Sequence, residues 1–135
     1  MDNKELIKLA LEARQMAYVP YSNYMVGAAL LTRQGKVYKG CNIENAAYTP
    51  TNCAERTAFF KAISEGEREF DAIAIVGGYE GDPIDYAYPC GVCRQVMMEF
   101  CNPEKFRVIT AISEEQYLQQ TLAEMLPHGF GPQNL

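Results

Sequence analysis

Two short motifs, Cys53-Ala54-Glu55 and Pro89-Cys90-Gly91-Val92-Cys93, constrain this chain more than any other feature. The second places two thiols three residues apart, a spacing at which both sulfurs can reach one metal ion. A fold that also delivers Cys53 to that ion must bring two distant segments to one point. Three protein ligands leave the fourth tetrahedral position open, which separates a catalytic zinc from a structural one. Glu55, two residues after Cys53, then stands beside the metal.

The length of 135 residues suits one compact domain, 1–135, and is too short for two. Apolar residues make up 48% and charged residues 21%, which speaks against both disorder and a membrane span. The N-terminus turns charged at once, with no apolar signal core, so the expected location is cytoplasmic. Five cysteines in a reducing compartment point to metal binding or redox chemistry rather than a disulfide framework. A net charge of −5 argues against nucleic acid as a partner. The small basic group Arg33, Lys36 and Lys39 reads as the solvated tip of a hairpin.

Residues 3–18 have the periodicity of an amphipathic helix, capped by Asp2 with Glu5 and stopped by Pro20. Residues 24–31 and 36–44 read as an antiparallel hairpin turning at Gly35. Helices are expected over 53–65 and 90–101, and buried strands over 72–76 and 106–112. A short strand near 117–120 and a helical turn at 121–126, capped by Thr121 with Glu124, complete the chain. This order predicts an α/β fold, a mixed five-stranded sheet with helices on both sides.

Both cysteine motifs fall at predicted helix starts. Free N–H groups and the positive end of the helix dipole there favour thiolate over thiol. Three thiolates leave zinc with a net negative charge, which weakens its hold on the acidity of water. Arg56 could offset this by donating to a sulfur. Glu55 is the candidate proton shuttle: hydrolysis by a metal-activated water needs a base for the water and an acid for the group that departs. Burial would raise its pKa toward neutrality.

Other readings compete. A lone C-x-x-C is common in redox proteins, but a disulfide pair has no use for a third thiol at Cys53. A closed structural zinc would need a fourth ligand from Cys41, Cys101 or His128. Cys41 and Cys101 are expected to be buried small apolar residues, and His128 a surface one. In Cys41-Asn42-Ile43-Glu44-Asn45, a strand would turn Asn42 and Glu44 to one face, where an amide and a carboxylate could hold a sugar hydroxyl. A polar edge strand facing water fits those residues equally well.

The motif pair C-A-E and P-C-G-V-C is the all-cysteine form of the zinc nucleobase deaminase signature. Val19-Pro20-Tyr21-Ser22, Val26-Gly27-Ala28-Ala29, Gly40 to Tyr48, Cys53-Ala54-Glu55-Arg56, Pro89 to Gln95 and Phe130-Gly131-Pro132 stand in the same order as in the small cytidine deaminases. Over nearly the whole chain the sequence resembles that family. The resemblance implies a three-layer α/β/α homotetramer with one Zn2+ per subunit, hydrolysing cytidine and 2′-deoxycytidine in pyrimidine salvage. It implies zinc on Cys53, Cys90 and Cys93, proton transfer by Glu55, and thiolate neutralisation by Arg56. Substrate contacts are implied at Tyr24, Asn42, Glu44 and Ala54, with Ala46, Tyr48 and Phe130 reaching a neighbouring subunit's site.

Two features depart from the pattern. Tyr24 stands where the family usually has Phe, and the segment 79–88 is longer and more aromatic than usual. A deaminase of a blasticidin-type nucleoside antibiotic is therefore an alternative, as is a non-catalytic zinc or redox module.

Overall fold

The computed structural model describes residues 1–135. Helix α1 spans Asn3–Arg14, and the Asp2 carboxylate accepts from the Glu5 N–H at 2.9 Å to cap it. It ends well before residue 18. After Arg14 the N–H groups of Gln15, Met16 and Ala17 bond to carbonyls three residues back, and Tyr18 then pairs with Ile43. That pairing, rather than Pro20, takes the chain out of the helix.

Strands β1 (Tyr24–Thr32) and β2 (Val37–Cys41) form the expected hairpin. Helix α2 (Ala54–Ser64), strand β3 (Phe70–Tyr79), helix α3 (Gly91–Phe100) and strand β4 (Arg107–Ala111) follow. Strand β5 (Tyr117–Thr121) and the short helix α4 (Leu122–Met125) close the chain. The anticipated Thr121–Glu124 capping box is present at α4. The sheet runs β2-β1-β3-β4-β5, with β3 and β4 parallel and the other pairs antiparallel. The expected mixed five-stranded α/β sheet is thus what the chain forms.

Strand β2 stops at Cys41, short of the expected 44. Beyond it the Asn42 side chain takes over the bonding to β1: Oδ1 accepts from the Val26 N–H at 2.9 Å, and Nδ2 donates to the Tyr24 carbonyl at 2.8 Å. Asn42 and Glu44 therefore lie in an irregular segment, not on a strand. Cys41 is half-buried rather than fully buried, because it sits at the sheet edge, whereas Cys101 is buried as expected.

Each face of the sheet carries its own core. Leu6, Ile7 and Ala10 of α1 pack on Ala29, Leu31, Ala72, Ala74, Val76 and Ile109. On the other face, Ala58, Phe59 and Ala62 of α2 and Met97 of α3 pack on Ala28, Leu30, Ile73 and Ile75. Two glycines set how closely the layers approach. A Cβ on Gly27 would lie 2.2 Å from the Ala10 carbonyl oxygen, so α1 rests directly on β1. A Cβ on Gly40 would lie 2.4 Å from the Ala54 carbonyl oxygen, so the first turn of α2 rests directly on β2. The basic residues near the hairpin are engaged at the surface, Arg33 with Glu69, Lys36 with Glu65 and Lys39 with Glu12. No helix is long and apolar enough to cross a membrane.

Candidate active site

Cys53 and Cys90 are themselves the N-cap residues of α2 and α3, both in extended conformation. Each therefore projects its sulfur from a point where helical N–H groups are unpaired. The Cys90 sulfur accepts from the Cys93 N–H at 3.5 Å, and Cys93 lies buried in the first turn of α3. The three Sγ atoms of Cys53, Cys90 and Cys93 lie within 4.8 Å of one another. Cys53 and Cys90 are 3.7 Å apart, Sγ to Sγ. Two sulfurs at about 2.3 Å from a tetrahedral zinc stand about 3.8 Å apart, so the pair already has the spacing of zinc ligands. None of the other cysteines, nor the exposed His128, joins this group, and the open-site arrangement holds over the closed one.

Arg56 is the third residue of α2, and its Nη2 donates to Cys53 Sγ at 3.2 Å. Burial works to lower its pKa, but the bonds to Cys53 and Cys93 outweigh that and hold it above its usual value. Cys53 is correspondingly held below the usual thiol range, by the hydrogen bond from Cys93 first and then by Arg56, against its own burial. Cys93, sharing that bond, is pushed up. The Nε of Arg56 is buried without a partner among the protein's own groups.

Glu55 is the second residue of α2 and only 4% exposed. Burial pushes its carboxyl up to about 7; the Cys53 charge also raises it, and a backbone hydrogen bond works the other way. A carboxyl titrating there can both hold and give up a proton at neutral pH.

A cavity of about 450 Å³ opens beside this group, and Glu55, Cys53, Ala54 and Cys90 line it. Asn42, Glu44 and Ser22 line it as well, with Tyr24 and Val26 of β1. Glu44 is held by the turn before β1: Oε1 accepts from the N–H groups of Tyr21 at 3.0 Å and Ser22 at 3.1 Å, and Oε2 accepts from the Ser22 hydroxyl. These bonds, the Ser22 hydroxyl first, hold Glu44 below the usual carboxylate range. The Tyr24 ring stands edge-on to Tyr79, with centroids 4.9 Å apart.

The segment 79–88, marked in the sequence for its length and aromatic content, does supply part of the wall, though its individual contacts were not foreseen. Tyr86, Ala87 and Tyr88 border the cavity from the segment after β3, with Ile75 of β3 beneath. Gly77 makes this possible, since a Cβ there would meet the Ala87 Cβ at 2.7 Å. The Gly77-Gly78 pair before an aromatic-rich loop was the available signal. The buried Arg14 was also unforeseen: it donates to the carbonyls of Met25 at 3.0 Å and Gly78 at 2.9 Å, tying β1 to β3 behind Tyr24. Three expected residues lie outside the cavity of the single chain. Ala46 and Tyr48 are exposed, and Tyr48 lines a neighbouring hollow with Tyr21, Ser22, Glu44 and Thr51. Phe130 is 57% exposed, with its carbonyl accepting from Gln95 Nε2 at 2.8 Å.

Fold and site together define an α/β protein with three cysteines placed to hold one metal ion and a buried carboxyl beside them. Residues 1–110 match the family described as the cytidine and deoxycytidylate deaminase zinc-binding region. A cytidine deaminase of Sporosarcina psychrophila is 50% identical over 135 residues, covering 100% of this chain and 96% of that protein. The crystal structure of cytidine deaminase from Burkholderia pseudomallei superposes with a TM-score of 0.87 at 46% identity, covering 96% of this chain and 100% of that one. A blasticidin-S deaminase of Bacillus cereus stands further off, 31% identical over 127 residues, or 91% of this chain and 88% of that protein. The chain belongs to the cytidine and deoxycytidylate deaminase family, and Cys53, Cys90 and Cys93 are placed to bind its zinc.

Proposed function

We propose that this chain hydrolyses cytidine and 2′-deoxycytidine to the uracil nucleosides, with loss of ammonia. The observation that carries this is that Glu55 and the thiols of Cys53 and Cys90 line the same cavity as Glu44 and Asn42. The C4–N4 bond of the base breaks, a C4–O bond forms from water, and the nitrogen leaves as ammonia. Zinc held by Cys53, Cys90 and Cys93 would supply Lewis-acid activation of water near neutral pH. Glu55 takes a proton from the attacking water on its carboxylate and delivers it to ring nitrogen N3. It then takes the remaining proton from the new C4 hydroxyl, as C4=O forms, and passes it to the departing amine. Its buried carboxyl suits all of these transfers. Arg56 offsets the thiolate charge that would otherwise oppose them.

Elsewhere on the same wall, Glu44 accepts from the ribose 3′-hydroxyl, the contact that the family resemblance implies for it, and Asn42 supplies the N–H on Nδ2 that the Tyr24 carbonyl leaves free. Tyr24 gives the nucleoside an apolar wall, and Ala54 gives the base a close-fitting backbone. The 50% identity to a cytidine deaminase, against 31% to a blasticidin-S deaminase, supports nucleoside over antibiotic. Residues 1–135 act as one catalytic domain, since both cores share one sheet. Tyr48 and Phe130, exposed by 73% and 57%, are surface for a homotetramer in which Ala46, Tyr48 and Phe130 complete a neighbour's site. Three ligand thiols also require a reducing compartment, which supports a cytoplasmic location.

Loss of the cytidine ultraviolet band tests the activity, alongside zinc analysis of the same protein. Glu55→Gln should keep about one zinc per chain yet lose about 10²–10⁴-fold in kcat. Equal rates in the two proteins would remove Glu55 from the mechanism. Sedimentation as a monomer at assay concentration, with full activity, would remove the shared site.

A further inference from the structure

We infer that Ser22 is a positioning residue for substrate, fixing Glu44 on the cavity wall through its hydroxyl. The inference rests on the reading of Glu44 as the group that takes a ribose hydroxyl. Glu44 belongs to no helix or strand, so nothing in the regular fold sets the direction of its carboxylate. The turn before β1 sets it instead. The N–H groups of Tyr21 and Ser22 occupy Oε1, and the Ser22 hydroxyl occupies one side of Oε2.

The direction of that hydroxyl is itself determined. Ser22 Oγ accepts from the Tyr24 N–H at 3.0 Å, so its single proton is left for Glu44. One hydroxyl thus links the carboxylate to Tyr24, and the Tyr24 carbonyl in turn holds Asn42 Nδ2 at 2.8 Å. Glu44, Ser22, Tyr24 and Asn42 form one hydrogen-bonded chain along the cavity wall. A carboxylate held by three donors meets a hydroxyl at a lone pair that is already aimed, with little freedom to lose on binding. Deleting the serine oxygen frees one side of Oε2 and leaves the Tyr24 N–H without its acceptor.

The test is steady-state kinetics of the zinc-loaded protein on cytidine and on 3′-deoxycytidine. Ser22→Ala should raise KM for cytidine about tenfold, the scale of a hydrogen bond to a charged group, with kcat unchanged. It should raise KM for 3′-deoxycytidine far less, because that substrate lacks the 3′-hydroxyl that Glu44 is read as taking. Ser22→Thr, which keeps the hydroxyl, should restore the wild-type preference. A serine that only shapes the turn would raise KM for both substrates alike, and that result overturns the inference. Glu44→Ala separates the two layers of argument. If it erases the preference for the 3′-hydroxyl while Ser22→Ala does not, the reading of Glu44 stands and the role of Ser22 falls. If the wild type itself shows no such preference, the reading of Glu44 falls and the inference falls with it.

Discussion

Arg56 Nη2 and Cys53 Sγ are 3.2 Å apart, and the first turn of α2 carries both ends of that contact. Residues 53 and 56 share a helix face, so the sulfur and the cation that donates to it are set by one backbone segment. Glu55 lies between them in sequence and points into the cavity. The turn thus fixes a sulfur, a carboxyl and a guanidinium as one rigid group. Arg56→Gln keeps much of the side-chain volume but removes the charge. Activity should fall about 10–100-fold with zinc still bound, the usual cost of losing a partner to a metal ligand. Matched kcat/KM and zinc analysis would check this, and full activity in the holo variant would contradict it.

The position of that turn depends on Gly40. Its missing side chain leaves room for the Ala54 carbonyl and the Ala58 N–H, which would lie 2.4 and 2.6 Å from an added Cβ. Both are backbone atoms, so they cannot swing aside. Gly40→Ala should therefore push α2 off β2, costing about 2–3 kcal/mol and shifting Glu55 and Cys53 relative to Cys90. Gly91→Ala is the matched control in the other motif, because nothing lies within 4 Å of a Cβ there. It should leave stability unchanged or slightly raised, as alanine is the better helix former. Denaturant unfolding at one protein concentration would compare the two. Similar midpoints for both variants would show that α2 is not seated as described.

The metal group was legible because its parts are chemically rare and locally spaced. Cys90 and Cys93 lie on one helical turn, and Cys53 and Glu55 on another, so period alone predicts their juxtaposition within each motif. The continuous apolar run Ala72 to Val76 likewise announced a strand covered on both faces, and all five residues are fully buried. What sequence did not reveal depends on single hydrogen bonds. Nothing in Asn42 distinguishes a strand residue from one whose amide replaces the strand, as it does against Val26 and Tyr24. The end of α1 was misjudged for a related reason: Ala17 continues the helical period, yet Tyr18 is claimed by pairing with residues 42–44, far along the chain. Tyr86 and Ala87 reach the cavity only because Gly77 lets their segment fold back, a tertiary fact with a two-residue signature.

Glu44 offers a titration that reports on the Ser22 bond. Its carboxyl lies below the usual carboxylate range because the Ser22 hydroxyl, with the N–H groups of Ser22 and Tyr21, stabilises the charged form and outweighs the opposing effect of desolvation. The folded value is therefore lower than the unfolded one. Bonds of this kind contribute to stability above the unfolded value, about 4.3 for glutamate, and are lost as pH falls through the folded value. The difference in thermal midpoint between wild type and Glu44→Gln should be constant from neutrality down to that range, then shrink at lower pH. Carbon-13 NMR of the Glu44 carboxyl should give a midpoint below the ordinary glutamate value in the wild type, rising toward it in Ser22→Ala. A midpoint at the ordinary value in both proteins would mean that the Ser22 bond does not form in solution.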